Sequence, residues 1–152
     1  MEIKKNWKSE AIVDENQYAS MYKESIDNNE DFWNKHGKRV HWIKDYSKIK
    51  DVLYSSKEVK VNWFYDGTLN VSENCIDRHA KLYPNKTAII WEGDDPAISK
   101  KITYIELLKN VSKTANALKK IGVKKGDIVT IYLTMIPELA YVMLACARIG
   151  AV

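Results

Sequence analysis

Residues 126–152, GDIVTIYLTMIPELAYVMLACARIGAV, are the stretch of sequence that decides the fold. Residues 128–133 form a short apolar and β-branched run, which is typical of a parallel strand buried on both faces. Pro137 suits the first turn of a helix, where a missing backbone N–H costs nothing. Every residue from 139 to 147 is apolar, so we expect this helix to be covered on nearly all sides before Gly150 ends it.

A strand followed by a helix that ends at a glycine makes up the first two parts of a βαβ crossover, whose last part is a second parallel strand. Ala151 and Val152 are predicted to be the first residues of that strand. We therefore expect the chain to stop in mid-fold, with an unpaired sheet edge and an apolar helix that lacks much of its cover. The helix is too short for a membrane span, which needs about 20 apolar residues.

The elements before this stretch alternate between strand and helix, which predicts an α/β fold class. Residues 87–92 are predicted to form a strand that pairs with residues 101–104 as a hairpin. Thr103 and Glu106 form a capping box at the start of a long amphipathic helix that ends at Gly122. Its apolar stripe recurs at spacings of three and four residues and consists of Tyr104, Leu107, Leu108, Val111, Ala115, Leu118 and Ile121.

The chain changes character near Trp63. Residues 15–28 and 31–36 have helical spacing of apolar residues, and aromatic side chains are spread through this part of the sequence. We interpret residues 1–62 as a helical, aromatic-rich N-terminal segment whose aromatics anchor it to a larger body. Residues 63–152 are then the incomplete first part of a large α/β domain.

Composition and charge exclude several classes of protein. The 152 residues are 45% hydrophobic and 29% charged, which is typical of a globular protein. The basic residues behind the net charge of +4 are nearly all lysines, and lysine pairs interrupt apolar segments as on a solvated surface, so we expect neither a nucleic-acid nor a membrane partner. The two distant cysteines and the absence of a signal-peptide pattern in residues 1–7 favour the cytoplasm.

A short helix is predicted to begin at Ser72 and to close at Pro84, and it carries a candidate metal site. Cys75 and His79 lie four residues apart, but two ligands do not close a zinc site and their apolar neighbours favour packing. The sequence therefore predicts no metal site here.

Two further sets of residues are candidates for function. Arg78 and Arg148 could be functional charges, although an arginine near a helix end more often caps carbonyls or pairs with a carboxylate. Residues 124–127, Lys-Lys-Gly-Asp, resemble part of a phosphate loop, but a tight turn into Ile128 explains them as well. The glycines form neither a Walker loop nor a dinucleotide fingerprint. We predict no catalytic, cofactor-binding or metal-binding residue in this chain.

Residues 63–79, WFYDGTLNVSENCIDRH, resemble the N-terminal signature of the short-chain acyl-CoA synthetases, most closely those of the acetyl-CoA synthetase type. The resemblance continues upstream in Phe32-Trp33 and Val40-His41-Trp42. Downstream it includes Ile102-Thr103-Tyr104 and residues 135–152, so it covers nearly the whole chain. Thr134 departs from the proline that the family usually has there, which bears on the stiffness of the loop before the helix.

The resemblance implies a two-step ligase of the adenylate-forming superfamily. In this family ATP and a short carboxylate give an acyl-adenylate and pyrophosphate, and the thiol of CoA then displaces AMP. Acetate, ATP, CoA and Mg²⁺ are thus implied for the parent protein, in which residues 63–152 begin the AMP-binding domain. The family's phosphate loop, adenine-binding segment, carboxylate pocket and mobile lysine lie further along, so the chain alone is expected to be inactive.

Other interpretations remain open at the level of sequence. The apolar helix of residues 139–147 could dock on a separate protein, which would make the chain a stand-alone interaction module. The parent could prefer propionate to acetate, because the residues of the pocket lie outside the chain. A small basic nucleic-acid binder is the remaining alternative to an enzyme fragment, beside the interaction module.

Overall fold

The structure is a computed structural model that describes Trp7 and residues 10–152. Residues 1–6, on which the expectation of no signal peptide rests, lie outside the described residues. The contacts divide the chain into two compact units, with the boundary between Thr68 and Leu69. Helices and two-stranded antiparallel sheets occur in both units, which confirms the predicted α/β fold class.

Two helices begin the described part of the first unit. Helix α1 (Glu15–Asp27) starts with a capping box, in which the carboxylate of Asp14 accepts the N–H of Gln17 at 2.8 Å. The Gln17 side chain accepts the N–H of Asp14 in return. Helix α2 (Asn29–Gly37) follows almost directly. The helices predicted over residues 15–28 and 31–36 are therefore confirmed.

An antiparallel hairpin completes the first unit. Strands β1 (Lys48–Tyr54) and β2 (Val59–Tyr65) pair along their length. A serine closes the turn, because Ser55 Oγ accepts the N–H of Glu58 at 2.9 Å. The sequence analysis did not predict this hairpin, which lies largely within the segment 1–62 described there as helical. Its apolar residues alternate with polar ones, and that period of two is the property of a strand.

The second unit opens with a helical segment over residues 71–82 that contains a π-helical turn (Glu73–Asp77) followed by α3 (Arg78–Leu82). Asn70 caps it, since its side-chain oxygen accepts the N–H of Glu73 at 3.1 Å. The predicted start at Ser72 was therefore wrong. Ser72 has helical dihedral angles and is fully buried inside the segment.

A hairpin and a long helix follow, as the sequence predicts. Strands β3 (Thr87–Glu92) and β4 (Ser99–Thr103) pair antiparallel. Helix α4 (Tyr104–Lys120) begins with the predicted capping box, in which the carboxylate of Glu106 accepts the N–H of Thr103 at 2.9 Å. Gly122 follows the helix with a φ of +99°, in agreement with a left-handed cap.

Helix α5 (Pro137–Ile149) has Pro137 in its first turn and ends at Gly150, whose φ is +77°. Both features confirm the sequence-based prediction. The helix packs on α4, and the two share one apolar core with the π-helical turn and β4. The buried residues of this core are Ile76, Ile102, Leu107, Val111, Ala115, Tyr141 and Ala145.

The hydrogen bonds at the beginning of residues 128–133 have the pattern of a parallel sheet. Val129 N–H donates to the carbonyl of Val152, whose own N–H donates to the carbonyl of Asp127, both at 2.8 Å. Residues 127–129 therefore run parallel to the end of the chain at Val152, as the predicted βαβ crossover requires. No regular strand is assigned over residues 128–133.

The exposure of this region agrees with the expectation of an unpaired edge and an apolar helix that lacks cover. The side chains of Ile128 and Tyr132 are 82% and 99% exposed, and Met143 on α5 is 56% exposed. A strand becomes buried on both faces only when a layer packs on each face.

Among the described residues, no helix has both the length and the apolar character needed to cross a bilayer.

Candidate functional site

The C-terminal end of α5 is held by a side chain from the start of the second unit. The amide of Asn70 donates to the carbonyls of Ala147 and Arg148 at 3.0 and 3.2 Å. These carbonyls belong to the last turn of α5, where backbone acceptors have no partner within the helix. Since its oxygen also caps the segment 71–82, Asn70 joins the beginning of one helix to the end of another.

An ion pair lies beside this contact. The guanidinium of Arg148 binds both carboxylate oxygens of Asp77 on the π-helical turn. This bidentate pairing is the favoured geometry between arginine and a carboxylate. Arg148 therefore has the structural role that the sequence favoured for an arginine near a helix end. Its Nε atom is buried without a hydrogen bond.

Cys75 and His79, the pair that the sequence analysis considered as metal ligands and did not favour, have different surroundings. Cys75 is exposed, and the His79 ring packs against Tyr104 with the ring centroids 5.2 Å apart. Arg78 Nε donates to His79 Nε2 at 3.4 Å, so this imidazole nitrogen already accepts a hydrogen bond. No group of three or more His, Cys, Asp or Glu side chains is placed to hold a metal ion in the part of the chain that the structure describes.

The Lys-Lys-Gly-Asp segment at residues 124–127 forms a turn. Asp127 accepts the N–H of Lys124 through its carboxylate, and Gly126 N–H donates to the carbonyl of Gly150, both at 2.8 Å. A phosphate loop needs backbone N–H groups that point together toward an anion. Here two of them are already bonded inside the protein, and a carboxylate lies at the centre of the turn.

The family resemblance implies ATP, Mg²⁺ and CoA for the parent, and the residues that the structure describes can be compared with the groups that hold a metal ion or phosphates. The arrangement has no cluster of carboxylates for a metal ion and no glycine-rich loop for phosphates. The contacts of Asn70, Asp77 and Arg148 bind one helix to another. These contacts position the backbone at the end of α5.

Sequence reasoning missed Asn70 and Asp77, which make the main contacts of this region. An Asn with a Glu three residues later is a helix-start signal, and Asn70 with Glu73 has this spacing. The signal was overlooked because Ser72 offered a second start two residues later. Nothing local indicates the partners of Asp77 and Asn70, which lie more than 70 residues away in the sequence.

Comparison with known proteins identifies the family. The family profile described as acetyl-coenzyme A synthetase N-terminus matches residues 18–75. The profile described as AMP-binding enzyme matches residues 76–152, just over half of the chain. The chain belongs to the AMP-binding enzyme family. The resemblance that the sequence motifs indicated is thus confirmed.

Individual relatives within this family have the same name as the first profile. The acetyl-coenzyme A synthetase of Parvibaculum lavamentivorans is 58% identical over 96% of this chain, and that of Agrobacterium fabrum is 55% identical over 99%. The chain spans 23% of the length of each of these two relatives. The acetoacetyl-CoA synthetase of Streptomyces lividans has a similar structure, with a TM-score of 0.76 and 28% identity, over 89% of this chain and 20% of that one.

Proposed function

We propose that this chain is the N-terminal part of an acetate–CoA ligase. The parent protein would convert acetate, ATP and CoA into acetyl-CoA, AMP and pyrophosphate through an acetyl-adenylate. The observation that carries the proposal is the 58% identity with a protein named acetyl-coenzyme A synthetase over 96% of the chain. The same observation favours acetate over propionate as the substrate of the parent. Two free cysteines support a reducing compartment such as the cytoplasm.

The role that we propose for these residues is structural. Stabilisation of phosphoryl or adenylyl transfer needs cations, a metal ion or convergent N–H donors around the transferring group. Among the described residues, no group of three or more metal-ligating side chains is placed together, and the guanidinium of Arg148 pairs with Asp77. We therefore propose that ATP, Mg²⁺ and CoA bind the parent protein and not this chain alone.

The isotope-exchange reaction between pyrophosphate and ATP tests this proposal. The purified chain should give no acetate-dependent exchange, whereas the acetyl-coenzyme A synthetase of Parvibaculum lavamentivorans, as a positive control, should give it. Exchange by the chain alone would contradict the structural role. A parent gene product that folds but shows no acetate-dependent exchange would contradict the assignment of the ligase activity.

We further propose that the remainder of the same polypeptide covers the exposed edge at residues 128–135. Ile128, Tyr132 and Met135 are 82%, 99% and 81% exposed, which is unusual for large apolar side chains that follow one another so closely. The parallel hydrogen bonds between Asp127, Val129 and Val152 give the direction in which a sheet would continue. These observations also favour the second candidate function, a stand-alone module that binds a separate protein through this surface.

Fragment complementation separates these two candidates. The chain is mixed with the part of the Parvibaculum enzyme that follows the matched region, and acetate-dependent exchange is measured. Activity only when both pieces are present, and its loss with Tyr132→Asp, supports the first candidate. Tyr132 is fully exposed in this chain, so the substitution should not unfold it. A monomeric chain with a two-state unfolding transition and no gain of activity on mixing supports the independent module.

A further inference from the structure

One face of the β1–β2 hairpin carries large apolar side chains that lie in solvent. Cross-strand partners in an antiparallel pair share a face, and alternate residues along each strand share it as well. Five of the side chains on this face are apolar or aromatic and between 41% and 73% exposed. Adjoining apolar side chains in solvent mark a contact surface. The register defines what we call the outer hairpin face, which consists of Lys48, Lys50, Val52, Tyr54, Val59, Val61, Trp63 and Tyr65.

The opposite face of the hairpin already has partners. Phe64 packs on Trp42 and Tyr46, with the ring centroids 5.5 and 5.0 Å apart. Asp51 and Lys60, which also belong to the opposite face, form an ion pair with each other. An antiparallel sheet that packs on one side usually has polar residues on the other side. The apolar character of the outer hairpin face therefore goes beyond what the packing of this hairpin needs.

The charge on the outer hairpin face is positive at one end. Lys48 Nζ lies over the ring of Tyr65 at 5.9 Å from its centroid, and Lys50 Nζ lies over the ring of Trp63 at 5.7 Å. Lys50 Nζ also donates to Asn29 Oδ1 at 3.2 Å. None of the eight side chains of this face is a carboxylate. The face thus fits an apolar segment that carries carboxylates where it meets the two lysines.

The far end of the outer hairpin face has the least cover. Helix α2 touches the face where Trp33 contacts Trp63, with the ring centroids 5.8 Å apart. Tyr54 and Val59 at the other end are the most exposed of its apolar side chains. The chain spans 23% of the length of two relatives, and the profile that includes this hairpin describes the N-terminus of such a protein. Most of a protein of that length is therefore available to cover this end.

We propose that the outer hairpin face docks an apolar, carboxylate-bearing segment of the polypeptide that follows residue 152 in the parent. The proposal rests on the function proposed above only in that the parent is a longer protein of this family, and it does not require ligase activity. A second copy of the chain fits less well, because its own outer hairpin face brings lysines and no carboxylate. A segment of the same polypeptide also has a high effective concentration, so a face of this size suffices.

Hydroxyl-radical footprinting of the isolated chain and of the full-length parent protein tests the proposal. The oxidation rates of Tyr54 and Tyr65 should be at least threefold lower in the parent, because the docked segment covers both rings. Equal rates in the two proteins would overturn the proposal and leave the face to a separate protein. Rates in the isolated chain that fall as its concentration rises would overturn it in favour of a second copy.

Substitutions on the face show whether its chemistry is responsible for the protection. In the parent, Val61→Asp should restore the oxidation rate of Tyr54 to the value that the same variant has in the isolated chain, because docking would bury a carboxylate. Val61→Ile keeps the face apolar and should leave the protection intact. Equal protection of Tyr54 in the aspartate and isoleucine variants would overturn the proposal.

A charge reversal tests the carboxylates of the docked segment. Lys48→Glu/Lys50→Glu should reduce the protection of Tyr54 in the parent at least threefold. Lys57→Glu is the matched control, since it reverses an exposed charge in the turn of the same hairpin, and it should change nothing. Full protection in the double variant would overturn the proposed charge of the segment.

Acetate-dependent exchange between pyrophosphate and ATP, measured on the same parent sample, separates this proposal from the proposed function. Protection of the face without exchange would support the docking surface and contradict the ligase activity. Exchange without protection would support the ligase activity and overturn the docking surface.

Discussion

Helices α4 and α5 pack side by side in one core, yet they depend on different sources of stability. Helix α4 carries its own start and stop signals, with the capping box of Thr103 and Glu106 at one end and Gly122 at the other. One face of it is apolar and buried, and the opposite face is polar. Local sequence thus determines where this helix begins and ends and which face it buries.

Helix α5 has few of these local features. No side-chain hydrogen bond caps its N-terminus, and although Gly150 ends the helix locally, carbonyls of its last turn also accept bonds from Asn70, which lies about half the chain away. Its residues are apolar on every face, so packing in this chain leaves part of that surface exposed. Helix α5 therefore leaves the apolar side chain of Met143 exposed in this chain, whereas α4 buries Leu107, Val111 and Ala115 on its apolar face.

The largest expected effect is on the shared core. Leu107→Ala on α4 removes a side chain that is 4% exposed, and it should lower the free energy of unfolding by about 3 kcal/mol through lost burial and a cavity. The matched substitution on α5 is Met143→Ala, because Met143 is 56% exposed. This substitution should change the free energy of unfolding by less than about 1 kcal/mol. Urea unfolding followed by circular dichroism measures both.

The contrast between the two helices would not hold if Met143→Ala lowered the free energy of unfolding as much as Leu107→Ala does. That result would mean that the outer face of α5 is covered in solution, for example by a second copy of the chain. Dependence of the Met143→Ala effect on protein concentration would then identify self-association as the cause.

The second-largest expected effect concerns the hydrogen bonds between Asn70 and the end of α5. Asn70→Ala removes the cap of the segment 71–82 and both bonds to the carbonyls of α5, and we expect it to cost about 2 kcal/mol. Asn70→Ser retains a capping oxygen but is too short to donate to α5, so it should cost about 1 kcal/mol. Hydrogen exchange of the last α5 amides should increase in both variants. Full stability of the serine variant would show that the bonds to α5 contribute nothing.

These differences explain how much of the fold and of the candidate site could be predicted. The boundaries of α4, the β3–β4 hairpin, Pro137 and Gly150 follow from residues within a few positions of each other. The exposure of residues 128–133 could be predicted only from the crossover, whose second strand the sequence just begins, because the strand pattern itself indicates burial on both faces. The bonds of Asn70 to α5 could not be predicted either, since they join residues 77 and 78 positions apart.

The hairpin β1–β2 shows a further limit of local reasoning. Only Tyr54 of its aromatic residues lies in the segment 1–62 that was interpreted as a helical layer, whereas Trp63, assigned there to the following domain, contacts Trp33 of α2 with the ring centroids 5.8 Å apart. The alternation of Val59, Val61 and Trp63 was the available signal for a strand, but a short run with this period competes with the helical spacing found just before it.

The smallest expected effect is a pH dependence at the start of α4. The N–H of Thr103, and then its hydroxyl, lower the pKa of Glu106 below its ordinary value. Since the folded pKa lies below the unfolded one, the stabilisation is present above the unfolded pKa and is lost as the pH falls through the folded pKa. Between about pH 5 and pH 3, wild-type stability should therefore fall more steeply than that of Glu106→Gln.

An NMR titration of the Glu106 carboxyl carbon measures the same coupling directly. Thr103→Ala should raise the midpoint part of the way to the ordinary glutamate value, because the backbone N–H remains as a donor, whereas Thr103→Ser should leave it low. An unchanged midpoint in the alanine variant would mean that the hydroxyl is not part of the cap in solution. The local start of α4 would then be weaker than its sequence indicates, and the contrast with α5 would rest on the buried face of α4 alone.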